Sequence, residues 1–262
     1  MSREEVLKDY EEYKSLGRVW GQVPVERISK IKFPRPEKSV IERYLALPDM
    51  TTTVSDLLDS YGVLGAVAAS HIKPLFAGKR IVGTAVTLRS MPERKTPTQA
   101  AFDKEPIKMS TREIYYLSEP GDVLVADFGG NLDVSNMGGQ SALVGKTSGF
   151  VGAVVNGAIR DLPAIKEIDF PIWAAGVTPI TGKFRMEAME INGPVRLHDV
   201  VVYPGDLIVA DESGICVVPS EYIERLVTEA ETIGAAEDKM RDLIASKAPI
   251  SELRPLFRKR YD

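Results

Sequence analysis

The chain of 262 residues has one cysteine, two histidines and two tryptophans, and its bases do not outnumber its acids. A lone thiol, Cys216, can form no internal disulfide, so a disulfide-stapled scaffold is excluded and a reducing cytoplasm fits. His71 and His198 have no partner at metal-ligand spacing, and they read as structural or surface residues. A net charge of −4 offers no basic surplus for neutralising phosphates, which argues against a nucleic-acid partner. The longest apolar runs, at 123–126 and 152–155, are strand-sized, so no membrane span is expected. The opening Met1-Ser-Arg-Glu-Glu carries acids where a secretory leader needs a basic and then an apolar stretch. What is present, 44% hydrophobic and 27% charged residues, is the composition of a globular chain able to bury a large core.

Along the chain the texture changes once. Residues 3–16 place Val6, Leu7, Tyr10 and Tyr13 at helical spacing, and Gly17 is a plausible stop. An extended connector with three prolines follows at 23–36, and a second helix is expected at 36–47. Residues 1–47 therefore read as a helical arm that packs on a neighbouring subunit, and 48–262 as the main domain. Thr51-Thr-Thr-Val-Ser-Asp has the hydroxyl-then-acid order of a capped helix start. Residues 81–89 alternate like a strand, and the polar stretch 91–110 reads as a long surface loop.

Pro120-Gly-Asp-Val-Leu-Val-Ala-Asp127 recurs almost unchanged as Pro204-Gly-Asp-Leu-Ile-Val-Ala-Asp211. Each copy is a tight turn feeding a short buried strand that ends in a carboxylate, for which turn or cap duty is the default. Two copies suggest paired β-elements rather than a solenoid. Further strand-like runs at 151–156, 172–174 and 215–218 alternate with helical patterns at 140–147, 162–168 and 221–245. The expected class is α/β with a helical C-terminus. Trp20 and Trp173 read as packing anchors, and the basic tail 254–260 as a solvated or subunit-contacting end.

Three elements that can carry chemistry stand close together. In Asn136-Met-Gly-Gly-Gln-Ser-Ala142, paired glycines precede a helix. Gly138 and Gly139 allow close backbone approach, and the N–H groups of Gln140 and Ser141 would head the helix and suit a carboxylate or phosphate. A buried strand, Gly149-Phe-Val-Gly-Ala-Val-Val-Asn-Gly157, leads into Ala158-Ile-Arg-Asp-Leu-Pro163. Arg160 could bind a substrate carboxylate through two parallel hydrogen bonds, and Asp161 could hold a hard divalent cation. Asp161 could equally cap the helix after it, and Arg160 form a surface ion pair. On these residues alone both readings stand.

With Val155-Asn-Gly-Ala-Ile-Arg-Asp161, the paired glycines and both repeat copies, the stretch 120–219 resembles the RraA-like family. Weaker similarity extends back to about Thr51. The family includes class II 4-hydroxy-4-methyl-2-oxoglutarate/4-carboxy-4-hydroxy-2-oxoadipate aldolases, which also decarboxylate oxaloacetate. The resemblance implies a swivelling β/β/α fold and a trimer or dimer of trimers with sites between subunits. It implies Mg²⁺ or Mn²⁺ anchored by Asp161 and a small 2-oxo acid gripped by Arg160 and by the Gly138–Ser141 turn. Carbon–carbon cleavage would then leave a pyruvate enolate. A glutamate from a neighbour's C-terminal helix completes such sites; Glu237 is the nearest candidate by position, a solvated helix face being the alternative.

The family's aldolases carry an acid separated by twenty residues from Arg-Asp, and here that position is Gly139. A carboxylate from elsewhere, or from another subunit, would have to replace it. Regulatory members, which inhibit a ribonuclease, lack the aspartate that this chain keeps, so an enzyme is expected. A non-catalytic regulator, or a diverged metal-dependent enzyme acting on another carboxylate, is the alternative.

Overall fold

The computed structural model describes residues 2–258. Among the described residues there are eleven strands: β1 Ala66–Ala68, β2 Lys73–Pro74, β3 Ile81–Pro92, β4 Asp122–Asp127, β5 Gly152–Ile159, β6 Ile172–Val177, β7 Met186–Ile191, β8 Val195–Leu197, β9 Val200–Val202, β10 Leu207–Ala210 and β11 Gly214–Val218. Nine of them form one sheet in the order β1-β11-β10-β3-β4-β5-β6-β2, with β7 beside the second half of β3, and β8 pairs with β9. The centre, β3 to β6, is parallel, whereas β10, β11, β1, β7 and β2 join antiparallel.

β4 is buried at all six positions because both faces of the sheet are covered. Leu124 and Ala126 face one core cluster, and Val123 and Val125 face another, as the two-residue period of a strand requires. Helices α1 Arg3–Ser15, α2 Lys38–Ala46, α3 Met50–Ser60, α4 Pro97–Phe102, α5 Arg112–Tyr116, α6 Gly139–Thr147, α7 Leu162–Glu167, α8 Ile223–Ala245 and α9 Ile250–Arg258 surround this sheet. α2, α3 and α8 close a third cluster over β10 and β11. The result is a mixed α/β domain with a central sheet. None of the described helices is long and apolar enough to cross a membrane.

Several expectations change at the level of packing. The arm, expected on a neighbouring subunit, contributes Val6, Tyr13, Val23, Ile28 and Ile31 to the largest core cluster of its own chain. α3 begins one residue earlier than its threonines suggest, with Asp49 at the cap position but making no capping bond. The Thr51 hydroxyl donates instead to Asp211 Oδ1 (2.7 Å), and Asp211 Oδ2 accepts the Thr51 N–H (3.2 Å). An aspartate distant in sequence thus does the capping. The stretch 91–110 is less loop than expected, because β3 runs on to Pro92 and α4 forms under a Thr96 cap. Trp173 is fully buried, whereas Trp20 is 47% exposed and stacks on Tyr116 (5.9 Å between centroids). Residues 259–260 of the basic tail lie outside the described residues.

Candidate active site

The cleft forms where the chain leaves β5 and turns into α7. Asp161 sits at that junction with φ +62° and ψ +37°, a left-handed conformation that aspartate adopts more readily than most residues. It occupies the N-cap position of α7, yet its side chain caps nothing there. Its Oδ2 instead accepts the Gly139 N–H across the cleft at 3.0 Å, which ties the end of β5 to the start of α6. Arg160 Nε lies 3.6 Å from the same oxygen, and the Arg160 N–H donates to the Met137 carbonyl (3.0 Å). The helix-cap reading of Asp161 is therefore displaced by a bridging one. The Arg160 ion pair does exist, but with its own neighbour and at the cleft wall.

The paired glycines are explained by that crossing. A Cβ on Gly138 would lie 2.5 Å from Asp161 Oδ2 and 3.1 Å from Arg160 Nε, so no side chain fits while the bridge stands. A Cβ on Gly139 would meet the Ala164 Cβ at 3.1 Å. The position where the family's acid would stand is thus tight as well as uncharged. Behind the glycines, the N–H groups of Gln140 and Ser141 head α6 without a partner among the described residues.

The cleft has a volume of about 310 Å³. That is at the small end of ligand pockets and suits a molecule of a few carbons. It is lined by Gly138, Gln140, Ser141, Arg160 and Asp161, all singled out from sequence, and by residues that were not. The Ser141 hydroxyl is 2.5 Å from Thr111 Oγ1, a hydrogen bond within the wall. Among the unforeseen residues, Asn136 and Ser110 are almost completely buried. Asn136 donates to Ser90 Oγ (2.8 Å) but its Oδ1 has no partner, and neither has Ser110 Oγ. Buried oxygens left unpaired at a cleft wall are costly unless a ligand or water satisfies them. Arg112, whose Nη2 donates to Gln140 Oε1 (2.9 Å), completes the wall with Gln22, Ile107, Met109, Thr111, Ser135 and Met137.

Chemically, the lining carries two arginines and one aspartate, with no lysine, histidine or cysteine. It favours an anion and contains no amine for a Schiff base. Among the described residues no group of three or more His, Cys, Asp or Glu could cage a metal. A cation here would rest on Asp161, with neutral oxygens, water and ligand supplying the remainder, which is how Mg²⁺ is commonly held.

Other residues weighed from sequence lie elsewhere. Glu237 is on α8, which packs on α2, α3 and α9, and the chain does not bring it to its own cleft. Asp127 accepts from Gly129 N–H, Arg196 N–H and Asn156 Nδ2, which is turn duty, beside a separate small pocket. Cys216 is buried and its thiol is pushed up to about 12 by desolvation, so it is inert. The two histidines stack on each other at 3.8 Å, away from the cleft.

Comparison with known proteins identifies relatives and a shared fold. The model of the family described as "RraA-like: Aldolase/RraA" matches residues 51–217. A Halalkalibacterium halodurans protein, named provisionally as a 4-hydroxy-4-methyl-2-oxoglutarate aldolase, is 33% identical over 79% of this chain and 88% of its own. Protein DlpA of Legionella pneumophila is 28% identical over 87% of this chain, which spans only 36% of DlpA. Among solved structures, the Streptomyces coelicolor protein RraAS2, titled an unusual member of the RNase ES inhibitor RraA family, superposes with a TM-score of 0.65. It is 27% identical, and the match covers 80% of this chain and 99% of that one. By the family model that spans residues 51–217 and the 33% identical relative, this chain belongs to the RraA-like family.

Proposed function

We propose that the protein is a divalent-metal-dependent carbon–carbon lyase of the cytoplasm that acts on a small 2-oxo acid. The observation that carries this reading is the Asp161 bridge, which fixes Arg160, the Gly138–Gly139 turn and the free N–H groups of α6 around one small cleft. Arg160 binds the carboxylate next to the keto group with its guanidinium fork, and the N–H groups of Gln140 and Ser141 take the other oxygen. Asp161, held by the Gly139 N–H, is the protein's ligand to Mg²⁺ or Mn²⁺. When bound, that ion supplies positive charge where negative charge grows on the keto oxygen.

The residues present favour one branch of the family's chemistry. Retro-aldol cleavage must remove a proton from the 4-hydroxyl, and among the described residues no carboxylate but Asp161 lines the cleft. Decarboxylation of oxaloacetate breaks the bond to a carboxylate, releases CO₂ and leaves an enolate that needs a proton only afterwards. Loss of CO₂ therefore needs no base at position 139. For retro-aldol cleavage, Glu237 of a neighbouring subunit in a trimer or dimer of trimers would supply one. Pyruvate release from oxaloacetate, measured with Mg²⁺ and with EDTA, tests the proposal. Release that stops with chelator and in Asp161→Ala supports it, and release indifferent to both refutes it. A second reading, a regulator that binds a ribonuclease, is favoured by Gly139 alone, and pull-down of an RNase with no turnover would select it.

A further inference from the structure

Arg112 stands in the cleft as a second cation, and its surroundings are constructed with unusual care. No carboxylate lies within ion-pair reach of it among the described residues; it donates to Gln140 Oε1 and lies over the Trp20 ring (5.7 Å to the centroid). The next residue, Glu113, is completely buried, and its carboxylate accepts four consecutive N–H groups of the N-terminal segment. Oε1 takes Trp20 (2.9 Å) and Gly21 (3.0 Å), and Oε2 takes Gln22 (2.8 Å) and Val23 (3.4 Å). Beyond the same short helix, Arg18 Nε donates to the Tyr116 carbonyl (3.0 Å) and Nη1 to Glu119 Oε1 (3.0 Å). The segment 18–23 is thus strapped across α5 at both ends, and it carries an aromatic face beneath one guanidinium at the cleft.

We infer that Arg112 is a specificity-determining residue that binds a second anionic group of the substrate, and that Trp20 and Glu113 are its positioning residues. The inference rests on the lyase reading for the identity of the reaction, but not for the binding itself. A cation in a small cleft without a carboxylate partner is a site for an external anion, and stacking on Trp20 keeps the fork aimed while leaving its N–H groups available. The N-terminal segment is then part of the recognition site.

The test compares two ligands with the same 2-oxo acid head, 2-oxoglutarate and 2-oxobutyrate, of which only the first has a second carboxylate. Binding to the full chain is measured by calorimetry in Mg²⁺. Arg112 is expected to make the dicarboxylate bind at least tenfold more tightly, and Arg112→Gln to erase that preference while changing 2-oxobutyrate by less than about threefold. Trp20 emission gives an independent signal that should respond to 2-oxoglutarate in the wild type and not in Arg112→Gln, since Trp173 is buried elsewhere. Trp20→Ala should narrow the preference without abolishing it. An equal affinity for the two ligands, a preference that survives Arg112→Gln, or no binding of either overturns the inference. The two readings fail separately. Pyruvate release from oxaloacetate with no role for Arg112 in the preference sinks only this one, whereas an Arg112-dependent preference without turnover sinks only the lyase.

Discussion

The two copies of Pro-Gly-Asp flank the same strand, β3, and differ in almost everything that their sequences do not encode. In both, the turn glycine has a positive φ, +93° at Gly121 and +101° at Gly205, and the following aspartate is buried. Yet β4 runs parallel to β3 and β10 antiparallel, so that Thr84 pairs with Asp122 on one side and Leu207 on the other. Asp122 receives both prongs of Arg35, Nε to Oδ1 and Nη2 to Oδ2, each at 2.8 Å. Among the described residues Asp206 has only backbone N–H partners such as Tyr203 (2.8 Å). Burial and nearby Glu221 push it up to about 6, although Lys30 acts in the opposite sense. An octapeptide can specify a turn and a buried strand, while strand direction and charge balance come from whatever packs beside it.

The contrast breaks most severely at Arg35. Arg35→Met leaves the Asp122 carboxylate buried and unpaired and should cost about 3–5 kcal/mol in denaturant unfolding at pH 8. The deficit should shrink as pH falls and Asp122 can take up a proton. Asp122→Asn in the same background should recover most of it. Burial pushes both aspartates upward, Asp122 despite the opposing pull of Arg35, but in the second copy no arginine offsets the cost, and removing the charge should stabilise the fold. The folded value of Asp206 lies above that of an unfolded aspartate, so its ionisation penalises the fold, with the penalty growing as pH rises through about 4 to 6 and complete above. Asp206→Asn should therefore raise stability by about 2 kcal/mol at pH 8 and by nothing measurable near pH 4.

Two smaller effects test what the copies share. Gly121→Ala and Gly205→Ala should each cost about 1–2 kcal/mol, because the strain lies in the backbone and nothing but Phe33 at 3.6 Å approaches either position. A large inequality between them would show that the turns are not equivalent. Thr51→Val, which removes the hydroxyl that Asp211 accepts, should cost about 1 kcal/mol, with no counterpart at Asp127.

The same division governs what could be read before any coordinates. The arm helix, β3, both repeat strands and the Arg160–Asp161 pair beside two glycines are local patterns, and each is present where its residues suggest. The Asp161 bridge was not legible, because it needs α6 and α7 placed side by side, and the left-handed turn that aims the carboxylate is set by that packing. Arg112, Ser110 and Asn136 were missed for a related reason. Ser110 ends a polar stretch with no period, Arg112 lies just beyond it at the start of the short α5, and Asn136 was seen only as a neighbour of glycines. The arm's own-chain packing depends on Glu113, ninety residues or so from the N–H groups it binds. A signal did exist there: an acid among Ile114, Tyr115 and Leu117, residues destined for the core, needs a buried partner.

Crystals soaked with Mn²⁺ and oxalate would locate the chemistry, since oxalate mimics the enolate of pyruvate and Mn²⁺ scatters anomalously. The expected result is an anomalous peak at the Asp161 carboxylate, with oxalate between it, Arg160 and the N–H groups of Gln140 and Ser141. Ions and oxalate bound elsewhere, or a cleft that takes up neither at saturating concentrations, would contradict the assignment of this cleft as the place where the carbon–carbon bond is broken.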